Sequence, residues 1–561
     1  MKFADMQYIR PELEPTQARY QELLENFKAA KTAEECFAAY KEINDFSEHV
    51  NTMTNLAYVR KTLNTKDEFY AAEHEYLDEI DPLLEEVLQE ISAAMLNSPF
   101  RKEMEAAWGK LMFTNLEMEL KTFSPEIIED MQEENKLCSE HADLMASAEI
   151  EFDGKILNLS DMSAYSEHKD RDVRVKACEA MSNWYTSHAE QFDTIFDKLV
   201  KLRTGMAKKL GYESFTELGY YRMQRNCFDE AMVAKFRQGI IEHIVPLTQK
   251  IKAEQAIRIG VDKIDIADLY FNYPDGNPTP KGTPDEIFAH GKKMYAELSD
   301  ETSELFNFML ENDLFDVLSK PGKEVGGYQT EFPIYKSPFI FANFNGTSDD
   351  IDVLTHEAGH GYACYVAKDI YPYDLREGSA EIGEIHAMSM EFFAWPWMEG
   401  FFGADTQKYY LSHLSKSVEF LPYGVMVDEF QHHVYAKPEM TPAERNALWL
   451  ELEAEYRPWL DMAGIPYWAQ GRRWQNISHI YEMPFYYIDY CLAGIMALNF
   501  WALNKKDHKD AWDKYVRLVK FAGTKNFVEL VEDSGLPNPF EPQNLKFVAK
   551  MTHEWLDENK I

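Results

Sequence analysis

Apolar residues recur at three- and four-residue spacing through most of the chain, the pattern of amphipathic helices. Residues 11–150 show it clearly, as in the run LLEEVL at 83–88. Pro11 and Pro82 stand where helices are expected to begin. A second helical block is predicted from Glu167 to Gln255. The pattern therefore predicts a mainly α-helical fold.

Two segments interrupt this pattern. The sequence YPDGNPTPKGTP at 273–284 is rich in Pro, Gly and Asn, and it predicts a long surface loop. Residues 326–345 combine aromatic and β-branched residues with flanking Gly and Pro, and they predict a small β-sheet. The most apolar stretch, residues 490–503, is too short to span a bilayer and predicts a buried helix. We divide the chain into an N-terminal helical subdomain, 1–200, and a catalytic subdomain, 201–561.

Composition narrows the class of protein. The 561 residues carry a formal net charge of −39, so nucleic acid is not expected as a partner. No signal-peptide pattern precedes the first helix, and no membrane partner is expected. The six cysteines show no CxxC spacing, which indicates free thiols in a reducing compartment. These features predict a cytoplasmic protein.

One helix carries the residues of a metal site. Thr347 and Asp350 resemble a capping box, after which the sequence reads HEAGH from His356 to His360. Residues four apart lie on one helical face, so the two histidines can bind one metal ion. Glu357 can reach a water molecule beside that metal and act as its general base. The pattern indicates a zinc peptidase.

The third ligand is not fixed by spacing. A catalytic zinc site with two histidines normally has a third protein ligand. The segment after the motif supplies two glutamates at suitable spacing, Glu381 and Glu384, and both remain candidates. Oxygen and nitrogen ligands favour one zinc ion per chain over metals that prefer sulfur. Asp352, one turn before His356, is a candidate acceptor for an imidazole N–H.

Several separated segments resemble the thimet oligopeptidase and oligoendopeptidase F family of metallopeptidases, and within it the branch that includes the Pz-peptidases. They are the stretches at 210–225, 342–360, 384–391 and 479–490. The resemblance implies a large two-lobed helical metallopeptidase with a small β-sheet beside the HExxH helix and a deep substrate channel. It also implies that Glu384, seven residues before Glu391, is the third ligand and that Glu381 lies behind it. Pz-peptidases are associated with proline-containing, collagen-like peptides.

The segment HIYEMPFYYIDY at 479–490 contains one histidine and four tyrosines. Imidazole N–H and tyrosine O–H groups can stabilise the oxyanion of a tetrahedral intermediate. By resemblance, His479 and Tyr486 are the residues expected to do so. Tyr490 also matches a family position, and Tyr487 is an alternative to Tyr486.

An extended substrate can bind by strand addition. By resemblance, the apolar strand at 339–344, just before the metal helix, is the candidate, with Phe341 and Asn343 as substrate contacts, whereas its composition alone indicates only a buried strand. The resulting prediction is a zinc endopeptidase that cleaves short oligopeptides. The alternatives are an HExxH zinc metallocarboxypeptidase, which needs a cation for the C-terminal carboxylate, and a catalytically silent peptide-binding protein.

Overall fold

The computed structural model describes all 561 residues, which form 24 α-helices and five short strands. The helices of the first half are α1 (Leu13–Ala29), α2 (Ala33–Leu63), α3 (Glu68–Leu96), α4 (Arg101–Trp108), α5 (Lys110–Glu119), α6 (Ile128–Ala146), α7 (Leu159–Tyr165), α8 (Arg171–Lys209), α9 (Phe215–Arg222), α10 (Glu230–His243), α11 (Val245–Ile259), α12 (Pro284–Leu298) and α13 (Asp300–Glu311). Those of the second half are α14 (Asp349–Ala367), α15 (Ala380–Phe393), α16 (Met398–Phe402), α17 (Thr406–Ala436), α18 (Pro442–Tyr456), α19 (Pro466–Ala469), α20 (Ser478–Glu482), α21 (Tyr487–Lys506), α22 (His508–Phe521), α23 (Phe527–Ser534) and α24 (Pro542–Glu558). The strands are β1 (Ile150–Phe152), β2 (Lys155–Leu157), β3 (Phe315–Leu318), β4 (Tyr328–Phe332) and β5 (Ser337–Phe344). The mainly α-helical prediction is confirmed.

The helices enclose two main hydrophobic cores. A cluster of 17 buried residues lies among α1 to α5 and includes Leu375 from the second half. A cluster of 103 buried residues extends from Met6 to Leu556 and holds the rest of the molecule together. The predicted boundary between residues 200 and 201 falls inside α8, so the chain has no break there. The first five helices, not the first 200 residues, have a core of their own.

Pro82 does not begin a helix, because it lies in the middle of α3. A proline inside a helix leaves the carbonyl four residues earlier without its usual N–H donor. Here the side chain of Asn135, from α6, donates to the carbonyl of Asp78 at 3.0 Å. The neighbouring carbonyl of Glu79 accepts from Gln132 at 2.7 Å. Helix α6 thus supplies the donor that the sequence of α3 lacks.

Three other predicted features are confirmed: the long connection, the buried helix and the free cysteines. Residues 273–284 lie almost entirely in the long connection between α11 and α12. Residues 490–503 belong to α21, whose side chains are mostly buried. All six cysteines are free. None of the helices combines the length and the apolar character needed to cross a bilayer.

The three-stranded sheet has the order β3–β5–β4 and packs on α14. Strand β5 is central, parallel to β3 and antiparallel to β4. Phe341 pairs with Asp316 on one side and Tyr328 on the other, so β5 has no free edge for a peptide. The prediction of strand addition at β5 is therefore wrong. The two edge strands of the sheet are β3 and β4.

A buried ion network joins α6 to the second half of the chain. Glu134 accepts from Arg203 at 2.6 Å and from Arg222 at 2.9 Å. Burial alone would raise the pKa of Glu134, but the two guanidinium groups outweigh it and lower the pKa to about 2. Arg203 also donates to the carbonyl of Ile480 at 3.2 Å, which fixes the position of α20.

Candidate active site

Helix α14 begins close to the predicted position but is capped differently. It starts at Asp349, and Thr347 makes no capping bond to it. The Asp350 carboxylate accepts from the backbone N–H groups of Asn345 and Gly346, at 2.8 and 2.9 Å. Asp350 therefore ties the turn that follows β5 to the first turn of α14, and this fixes the helix against the sheet.

Helices α14 and α15 cross at very short range. A Cβ added at Gly359 would lie 2.6 Å from Cα of Ala387 and 2.7 Å from the carbonyl oxygen of His386. Only glycine at position 359 permits this approach, because real Cβ atoms do not come so close to backbone. The crossing places Glu384 of α15 opposite the two histidines of α14.

Three side chains converge on one point. Oε2 of Glu384 lies 3.3 Å from Nε2 of His356 and 3.7 Å from Nε2 of His360. The ligand atoms of the three residues lie within 4.8 Å of one another. Tetrahedral bonds of 2.0–2.1 Å would place ligand atoms about 3.3 Å apart. Oε2 of Glu384 is buried and has no hydrogen-bond partner, so the residues fit a zinc ion.

The candidate ligand His356 is oriented by Glu391. Its Nδ1 lies 2.7 Å from Oε1 of Glu391, which leaves Nε2 free to bind metal. The other oxygen of Glu391 lies 2.8 Å from Nε2 of His413 on α17. Burial would raise the pKa of Glu391, but these two hydrogen bonds outweigh it and lower the pKa to about 2. His413 gave no sequence signal, because it is brought to the site only by tertiary packing.

Asp352 does not take the position predicted for it. Its carboxylate accepts from the hydroxyl of Tyr409 at 2.8 Å and from Lys416 at 3.1 Å. The histidine N–H that it was expected to accept is held by Glu391 instead. Asp352 anchors α14 to α17, whereas Glu391 orients the ligand.

Glu381 lies outside the group of ligand atoms. Its Oε1 accepts from the hydroxyl of Ser379 at 2.5 Å, and its Oε2 is buried without a partner. One turn of α15 separates it from Glu384, whose Oε2 faces both histidines. The geometry therefore places Glu384 in the ligand group and Glu381 behind it.

The carboxylate of Glu357 is buried, and it lines the same cavity as the three ligands. Its Oε2 has no hydrogen-bond partner. Burial raises the pKa of Glu357 to about 7, against the opposing effect of the neighbouring His356. A Cβ at Gly327 would lie 3.6 Å from Oε1 of Glu357, so the residue before β4 borders the carboxylate closely.

Two of the three candidate tyrosines face the cavity. Tyr486 donates to Oε1 of Glu384 at 2.5 Å, and the hydroxyl of Tyr490 lies 3.1 Å from Nε2 of His479. Tyr486, Tyr490 and His479 line a cavity of about 520 Å³, which also contains the candidate ligands His356, His360 and Glu384. Tyr487 does not line the cavity, and its ring packs behind His479 and Tyr490, with ring centres 5.1 and 5.8 Å apart. Tyr486, and not Tyr487, is thus the tyrosine whose hydroxyl contacts the candidate ligand group.

The edge of β4 borders the same cavity. Residues 327–329 line it, whereas Asn55 of α2 donates to the carbonyl of Glu331 at 2.8 Å and covers the far end of the edge. Phe341 is fully buried beneath β4 and stacks on Tyr328, with ring centres 4.7 Å apart. Asn343 donates to the carbonyls of Glu324 and Gly326, at 2.8 and 2.9 Å. Neither predicted substrate contact reaches the cavity, and both instead support the approach to β4.

A helix bearing HExxH, a glutamate from a second helix and a partnered histidine together define the metal centre of an HExxH metallopeptidase. The family comparisons agree with this class. The model of the Peptidase M3 N-terminal domain matches residues 3–123, and that of Peptidase family M3 matches residues 287–546. The chain belongs to peptidase family M3.

Solved structures cover the whole chain. A structure described as Pz peptidase A with inhibitor 2 is 46% identical with a TM-score of 0.98, and 99% of each chain is covered. A putative oligoendopeptidase F from Bacillus anthracis str. Ames is 44% identical with a TM-score of 0.94, covering 100% of this chain and 99% of that one. Oligopeptidase PepF of Bacillus subtilis (strain 168) is 23% identical over 403 residues, or 70% of this chain. That alignment spans 58% of the length of the Bacillus subtilis protein.

Proposed function

We propose that the chain is a zinc-dependent endopeptidase that hydrolyses internal bonds of short oligopeptides. The observation that carries the proposal is the position of Glu357. Its unpartnered carboxylate shares one cavity with the ligand group His356, His360 and Glu384 and with the donors of α20 and α21. The cytoplasm is the proposed location, supported by the six free cysteines.

Each residue of the site has a separate proposed role in peptide hydrolysis. A zinc ion held by the ligand group would polarise the scissile carbonyl and acidify water. Glu357 accepts a proton from the attacking water and returns it to the leaving amine. Tyr486 and His479 are the proposed donors to the developing oxyanion, a role in which preorganised hydrogen bonds lower the barrier. Both line the cavity that Glu357 also lines.

The edge of β4 is the proposed binding site for the peptide backbone. Main-chain groups of an edge strand pair readily with an extended peptide. Gly327 and Gln329 lie at this edge and line the cavity. Oligopeptides are the proposed substrates because the chain resembles oligopeptidases such as Oligopeptidase PepF of Bacillus subtilis (strain 168). Proline-containing, collagen-derived peptides enter the proposal through the family resemblance alone.

The carboxypeptidase alternative requires a cation one residue from the cleaved bond. Arg376 is the only lysine or arginine that lines the metal cavity. Its Nη2 pairs with Glu48 at 2.7 Å and its Nε donates to the carbonyl of Ile370 at 3.0 Å, whereas its buried Nη1 has no partner. Because Glu48 already neutralises this guanidinium, the site favours internal cleavage. A silent binder would have no need of the buried carboxylate at Glu357, whose desolvation is costly.

The test uses an internally quenched, proline-containing decapeptide with products read by mass spectrometry. We expect internal cleavage that stops with chelator and returns with zinc. Glu357→Gln should bind zinc but lose cleavage. Release of single C-terminal residues would move the assignment to a carboxypeptidase. Bound zinc with no cleavage across a peptide library would support the silent binder.

A further inference from the structure

A buried arginine without a carboxylate partner lies in the interior, near the metal site. Arg473 is 8% exposed, its Nη1 has no hydrogen-bond partner, and its Nη2 makes one long bond of 3.4 Å to the hydroxyl of Tyr270. Its guanidinium lies 5.0 Å from the ring centre of Tyr423. Arg457 contacts the same ring at 5.2 Å but is paired with Glu453 at 3.3 Å. A buried charge is costly unless it is paired. We therefore expect an anionic group to bind the guanidinium of Arg473.

Arg473 lines two adjoining cavities of about 280 Å³ each. The other charged side chains of their walls are mostly neutralised. They form ion pairs as follows: Asp349 and Asp352 with Lys416, Lys252 with Glu419, Arg457 with Glu453, Arg174 with Asp268, and His413 with Glu391. Glu167 is the exception, and burial raises its pKa to about 7, which reduces its negative charge near neutral pH. Asp349 and Asp352 share one lysine, and Arg473 is the only cation of these walls without a carboxylate partner.

These cavities adjoin the metal site along α14. Asp352 lines one of them and lies four residues before His356, a distance of about 6 Å along the helix. Phe420, which lines the same cavity, contacts Tyr490 of the metal cavity with ring centres 5.8 Å apart. The metal cavity and the Arg473 cavities are thus neighbours, separated by this ring contact.

The direction of β4 determines which end of the peptide points that way. The residue before β4, Gly327, lies against Val353 near the start of α14. Near the other end of β4, Glu331 accepts from the thiol of Cys364 at 3.1 Å. β4 therefore runs in the same direction as α14. A peptide paired antiparallel to β4 runs the opposite way, with its C-terminus directed toward Asp352 and the cavities beyond.

We propose that Arg473 binds the free C-terminal carboxylate of the oligopeptide substrate; the inference rests on the endopeptidase function proposed above. A guanidinium matches a carboxylate in charge and in its two-pronged hydrogen-bond geometry. An extended chain advances about 3.3 Å per residue, so at least two residues separate the cleaved bond from the carboxylate. Arg473 thus favours short peptides with a free C-terminus and fixes the cleavage position relative to that end.

The experiment compares one quenched decapeptide as the C-terminal acid and as the amide, with zinc-loaded enzyme. A charge-assisted hydrogen bond predicts that wild type prefers the acid by about 10- to 100-fold in kcat/KM, mainly through KM. Arg473→Met should bring this ratio near one, and Arg473→Lys should restore part of the preference. Arg258→Met removes a cation that lines neither cavity, and it should keep the wild-type ratio.

The outcomes separate the two proposals. A wild-type ratio near one, with both peptides cleaved, overturns the role of Arg473 and leaves the endopeptidase intact. An equal loss on both peptides in Arg473→Met would show a structural role and also overturn it. Failure of zinc-loaded wild type to cleave either form counts against the endopeptidase itself. The wild-type comparison requires no variant to fold, and lengthening the peptide at its N-terminus should leave the C-terminal fragment unchanged.

Discussion

Replacing Gly359 by alanine should force apart the two helices that carry the metal ligands. The new Cβ would meet backbone atoms of Ala387 and His386 at 2.6 and 2.7 Å, and backbone cannot rotate away as a side chain can. Reaching an ordinary carbon contact of about 3.6 Å requires a separation of about 1 Å. Functional groups must be held to within about 0.5 Å, so Glu384 would leave the histidine pair.

The loss of unfolding free energy in Gly359→Ala can be estimated from helix packing. Overpacking a well-filled core costs typically 1–3 kcal/mol, and a clash with backbone belongs at the upper end. The higher helix propensity of alanine offsets about 1 kcal/mol of this. We therefore expect Gly359→Ala to lose about 2 kcal/mol of unfolding free energy. Zinc affinity should fall by at least about 10-fold, as it does when ligand orientation is disturbed.

Gly361 provides a matched control on the same helix. A Cβ there would meet its nearest neighbours at 3.9–4.0 Å, which is ordinary contact. Gly361→Ala should gain about 0.4–1 kcal/mol and keep its zinc affinity. Urea unfolding followed by circular dichroism, and zinc competition with a chelator, measure both effects. If Gly359→Ala were as stable as wild type with unchanged zinc affinity, or if Gly361→Ala were equally damaging, the reasoning would fail.

Three further results are expected. Glu391→Gln should weaken zinc binding by about 10- to 100-fold in chelator competition, because His356 loses its charged acceptor; unchanged affinity would contradict this role. Tyr486→Phe should lower kcat by about 100-fold when the enzyme is saturated with zinc, whereas Tyr487→Phe, its neighbour outside the cavity, should stay near wild type. The pKa of Glu134 falls from 4.5 to about 2 on folding. Its ion pairs should therefore contribute about 3 kcal/mol above pH 4.5, which is lost as the pH falls toward 2. In Glu134→Gln the acid-unfolding curve should be flatter over that range, and an unchanged slope would refute the assignment.

The sequence predicted those elements that depend only on residues close together in the chain. The 3.6-residue periodicity predicted the helices, and the Gly/Pro-rich segment 273–284 predicted the long connection before α12. The hairpin β1–β2 was missed although Asp153 and Gly154 supply its turn, both with positive φ. Strand β3 was missed because it is only four residues long and pairs with β5 across the sequence.

Residues of the site that act through other residues were harder to predict. The spacing of His356 and His360 is a property of one helix, so sequence alone could propose it. The acceptor of the His356 N–H depends on how α15 meets α14, and Asp352, the nearer choice in sequence, lies beside Tyr409 instead. Arg473 carries no motif at all. Its unpaired state is visible only once the ion pairs of every surrounding helix are known.

A glycine inside the HExxH motif explains which glutamate lies beside the two histidines. Gly359 is one of them, and the missing side chain allows α15 to approach along the face that presents Ala387 and Met390. Glu384 precedes Ala387 by one turn and so projects into the same crossing, next to the histidines. Glu381 lies another turn back, where its carboxylate meets Ser379. The choice between the two glutamates, open from spacing alone, is thus a consequence of close helix packing at a glycine inside the motif.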